Sequence, residues 1–107
     1  MLVTTGNDAY GYRITAYLGV VRGIVVRSTT IGQGIMGGLK QIIGGNIEAY
    51  ATACEQAREE AYGRMVAHAQ AMGADAIIAM RYDATEFSQN TTEVLAYGTA
   101  VRLAPLV

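Results

Sequence analysis

The sequence predicts a two-layer α+β domain, a largely antiparallel sheet packed with one short and one long helix, that assembles with copies of itself. Three observations carry this expectation. A β-branched run from Arg13 to Ser28 and two apolar runs after residue 75 have the composition of strands. The stretch from Ile47 to Met72 repeats its apolar residues at the helical period. The chain also holds more apolar side chain than a body this small can hide.

The elements follow in order. In Arg13 to Ser28 the even positions Ile14, Ala16, Leu18, Val20, Ile24 and Val26 make one apolar face, interrupted by Arg22. Gly19 and Gly23 mark a bend or bulge, because glycine inside a strand serves backbone geometry. A glycine-rich passage, Gly32 to Gly38, leads into a short helical candidate that ends at Gly44-Gly45. The long helix then runs from Ile47 to Met72, with Asn46 as N-cap and Gly73 as its left-handed stop. At about 100° per residue, Ile47, Tyr50, Ala51, Cys54, Ala57, Ala61, Met65, Ala69 and Met72 share one broad face. Glu60 and Arg64 stand at i, i+4 in the favourable order. Ala76 to Asp83 reads as a strand, and Glu86 to Thr92 as a polar turn around Gln89-Asn90. Glu93 to Leu103 is the last strand; being apolar on both faces, it belongs in the middle of the sheet or at an interface.

Composition narrows the function classes. The 107 residues make one domain, 1–107. Lys and Arg number 8 against 9 Asp and Glu, a net charge of −1, whereas a nucleic-acid binder shows a basic face. Only 16% of residues are charged while 51% are hydrophobic, which points to a large subunit interface. No run approaches the roughly 18 apolar residues of a membrane span. Met1-Leu2-Val3-Thr4-Thr5 lacks the basic start and apolar core of a signal peptide. Cys54 is the single cysteine, so no intrachain disulfide forms and a reducing cytoplasm is the expected location.

With these elements in place, the chain resembles the YbjQ-like family of small proteins of uncharacterised function. The resemblance rests on Thr4-Thr5, on Tyr17-Leu18-Gly19-Val20-Val21-Arg22-Gly23, and on Gly44-Gly45 before the long helix. It continues through Tyr50, Ala57-Arg58-Glu59, Gly73-Ala74-Asp75-Ala76, Asp83 and Gly98-Thr99-Ala100-Val101, nearly end to end. It departs from the usual family pattern at Gly32-Gln33-Gly34, at Asn46-Ile47 and at Arg81. The resemblance implies an α/β subunit assembled as a homopentameric ring, and it carries a heavy-metal-binding label.

Individual constellations are weaker. Gly32-x-Gly34-x-x-Gly37 matches the dinucleotide fingerprint, but the following strand with its ribose-binding acid is missing where a long helix begins. A glycine-rich loop permitting close subunit approach is the plainer reading. Cys54 and His68 lie 14 residues apart, about 21 Å along a helix, and so cannot share an ion within one subunit. Met65, His68 and Met72 line one stripe and could offer thioether and imidazole to a soft metal such as Cu(I), although a methionine-filled packing face with one satisfied histidine is the plainer reading. Arg58 falls near the centre of the helix's apolar face, where a charge needs a partner. Either its stem lies on apolar surface while the guanidinium reaches water, or it pairs across a subunit boundary with Glu59 or Asp83 of a neighbour. No nucleophile–base–orienter set is evident, and Asp75, after a helix-ending glycine, reads as a turn cap.

The leading expectation is a non-enzymatic homo-oligomer holding a small ligand or ion in its pore or subunit clefts, with no resident cofactor. A soft-metal-binding protein and an enzyme whose site forms only between subunits are the alternatives.

Overall fold

The computed structural model describes residues 1–28, 47–88 and 91–107. Along these the order is β1 (Leu2–Val3), β2 (Tyr12–Ser28), α1 (Ile47–Ala71), β3 (Ala76–Ser88) and β4 (Thr91–Pro105). The strands form one mixed sheet of order β1-β3-β4-β2, in which β1 runs parallel to β3 and the other two pairings are antiparallel. β4 is internal, as its two apolar faces require. The α+β architecture agrees with the sequence. The expectation of a second, short helix is not borne out: α1 is the one helix among the described residues. The proposed short helix, the Gly32–Gly38 loop and the Asn46 cap lie outside those residues. The expected Glu86–Thr92 turn is corrected, since β3 runs to Ser88 and β4 starts at Thr91, with only residues 89–90 outside the description.

α1 packs on one sheet face through a stripe of small residues. Ala57, Ala61, Met65 and Ala69 recur every four residues and are buried, the last three against Val21, Val25, Ala96 and Ala100. The stripe lets helix and sheet approach closely, and Gly23 marks the tightest point. A Cβ on Gly23 would overlap the Ala61 carbonyl oxygen and come within 2.5 Å of the Met65 nitrogen. Gly23 is therefore a contact glycine rather than a bend. Gly19 does mark a bulge: its φ is +122° and the β2–β4 register shifts between Tyr17 and Gly19.

Register shifts at Ile14/Ala16 and Tyr17/Gly19 also correct the face assignment of β2. Beyond them, Val21, Gly23 and Val25 face the helix, while Val20, Arg22, Ile24 and Val26 turn to the opposite side and are exposed. A period-2 reading carried through two bulges assigns the wrong face.

On that opposite face a smaller cluster, Ala76, Ile78 and Val101 with Ile14 and Leu103, is buried. β1 and β2 occupy opposite edges, so residues 4–11 carry the chain across the sheet. The crossing is anchored at a bulge in β3, where Ala79, with φ of 53°, donates its N–H to Gly6 and Met80 donates to Thr4. Arg81 adds a bond to the Thr5 carbonyl at 2.8 Å. No described helix is long and apolar enough to cross a membrane.

Candidate functional site

The residues singled out from sequence fall on three separate surfaces, apart from Met65 in the core and Asp83 on the far face of the sheet. Arg58 is exposed, with its guanidinium carbon 5.8 Å from the centroid of the Tyr82 ring. The expectation of a charge at the centre of the helix's apolar face is thus corrected. The contact stripe is Ala57-Ala61-Met65-Ala69, and Arg58 stands about 100° around the helix from Ala57. The stacking on Tyr82 is a cation–π contact. Burial raises the Tyr82 phenol above its ordinary value, and the electrostatic influence of Tyr62, Glu55 and Glu59 adds to this while Arg58 opposes it. Arg58, Glu59 and Tyr82 thus belong to one exposed neighbourhood. Asp83 does not. It pairs in register with Leu95 on the face away from α1, and its Oδ1 accepts the N–H of Ala84. Within one subunit Arg58 and Asp83 lie on opposite sides of the sheet.

The second surface is the outer edge of β2. The Nδ1 of His68 accepts the main-chain N–H of Arg22 at 3.2 Å. One turn earlier, Arg64 donates to the carbonyl of Ile24 at 2.9 Å and to Glu60 at 2.9 Å. Glu60 also receives Arg27 from β2. That bond from Arg27, more than any other influence, holds the Glu60 carboxyl below its ordinary value, although its burial works the other way. The Glu60–Arg64 pair was legible at i, i+4; its extension to β2 was not, because no local signal says which strand forms the edge.

The same geometry bears on metal. Met65 is wholly buried in the core, His68 has one ring nitrogen engaged by the strand edge, and Met72 is 37% exposed. Cys54 is exposed near the other end of the helix. Among the described residues no group of three or more His, Cys, Asp or Glu side chains stands close enough to hold an ion. The described donors of one subunit do not fit a closed metal site.

The third surface surrounds Asp75, whose side chain reaches β4 rather than capping the turn after α1 as expected. Its Oδ2 accepts the N–H of Leu103 at 2.8 Å and Nε of Arg102 at 3.3 Å. The Leu103 bond is the largest influence lowering the Asp75 carboxyl, assisted by Arg102 and opposed by burial. These contacts fasten the start of β3 to β4, a structural role. An open recess beside it is lined by Leu2, Tyr12, Leu103 and Pro105 and gathers no catalytic set.

Comparison with known proteins assigns the chain to a family. Residues 1–104 match the YbjQ family model, described as "Putative heavy-metal-binding". A UPF0145 protein of Legionella pneumophila (strain Corby) is 63% identical over 101 residues, covering 94% of this chain and 96% of the relative. A UPF0145 protein of Chromobacterium violaceum is 57% identical over 105 residues, 98% of this chain and 90% of the relative. The fold is similar to the crystal structure of a protein of unknown function, of the DUF74 family, from Pediococcus pentosaceus. That match has a TM-score of 0.65 at 21% identity and covers 97% of this chain and 98% of the other. The chain belongs to the YbjQ family, whose close relatives carry the name UPF0145.

Proposed function

We propose that this protein is a non-enzymatic homo-oligomeric binding or scaffold protein of the cytoplasm, a pentameric ring as the family resemblance implies. It holds a small ligand or ion in its pore or between subunits. The observation that carries this reading is the shape of the subunit. Its radius of gyration is 16.9 Å and its extents are 56 × 22 × 20 Å, whereas a compact chain of this length has a radius of about 13 Å. So elongated a body leaves large apolar side chains in water, with Tyr17 71%, Val20 67% and Val26 52% exposed. Coupled with 16% charged residues, this favours a subunit whose surfaces are completed by its neighbours. Arg58 and Glu59, exposed on α1, and Asp83, on the far sheet face, would then meet residues of adjacent subunits rather than one another.

The family's description favours a second reading, a soft heavy-metal protein. Because the described donors of one subunit do not cluster, that reading draws on ligands from more than one chain, with His68 and Met72 as this chain's contribution. Native mass spectrometry of untagged protein tests both. The proposal expects an oligomer, with any retained ligand appearing as added mass. A bare monomer of 11.3 kDa rejects it.

A further inference from the structure

We draw no further inference here: the strongest candidate, the sheet face opposite α1 that carries Arg22, Ile24, Leu95, Tyr97 and Asp83 across β2, β4 and β3, has nothing in the structure to show what covers it.

Discussion

His68 Nδ1 accepts the main-chain N–H of Arg22 at 3.2 Å, fastening the last turns of α1 to the free edge of β2 across 46 positions of sequence. Beside it Arg64 takes the Ile24 carbonyl, so one outward donor and one outward acceptor of the edge strand are satisfied by the helix. An exposed strand edge is a template for unwanted pairing, and side chains laid over it blunt that tendency.

His68→Ala should expose the Arg22 amide while leaving the core intact. One net hydrogen bond contributes about 0.5–1.5 kcal/mol, so Arg22 protection against hydrogen exchange should fall about two- to tenfold. Unchanged protection would mean that the bond contributes nothing in solution.

Gly23→Ala should destabilise the fold, because the added methyl meets helix backbone that cannot swing aside. Overpacking of this kind costs about 1–3 kcal/mol, readable as a lower urea midpoint at constant slope. A variant as stable as the wild type would show that α1 stands further from β2 than described.

Met65 separates core packing from metal chemistry. Met65→Ala should cost about 2–5 kcal/mol as a buried cavity, whereas Met65→Leu, of similar volume, should cost less than about 1.5 kcal/mol. Zinc titration of the wild type should find no tight site of one ion per chain, since the described donors of one subunit do not cluster. Any Cu(I) binding should survive Met65→Leu and be lost in His68→Ala. Loss of Cu(I) in Met65→Leu, with stability retained, would place the thioether on the metal and contradict the packing role.

Asp75 predicts an acid-dependent term. Its folded carboxyl lies below the ordinary value, so its stabilisation is complete above the unfolded value and disappears as pH falls through the folded one. Asp75→Asn should therefore be less stable than the wild type near neutrality, with the difference shrinking on acidification below the ordinary carboxylate range. A difference independent of pH would assign the whole effect to packing.

These residues also show how far sequence reaches. The helix was legible within one residue at its C-terminal end because its alanine and methionine spacing is strictly periodic and Gly73 stops it. β4 was legible as internal because both its faces are apolar. β1 was not legible: two residues carry no period, and only pairing with Ala76 and Ile77 makes Leu2–Val3 a strand. The exposed face of β2 was misassigned because two bulges reset the alternation, and bulges depend on partner strands. Arg58 was placed too close to the helix's buried centre because the apolar stripe read from sequence was broader than the three alanines and Met65 that are buried. The candidate metal stripe dispersed for a related reason. Residues three and seven positions apart share a face, but the core takes Met65 while the strand edge takes His68.

Sedimentation equilibrium of the untagged chain at micromolar concentration tests the central claim, that this subunit is completed by copies of itself. The account predicts a single species whose mass is a multiple of 11.3 kDa, five-fold for the ring. A stable species at 11.3 kDa, unchanged across the concentration range, would contradict it.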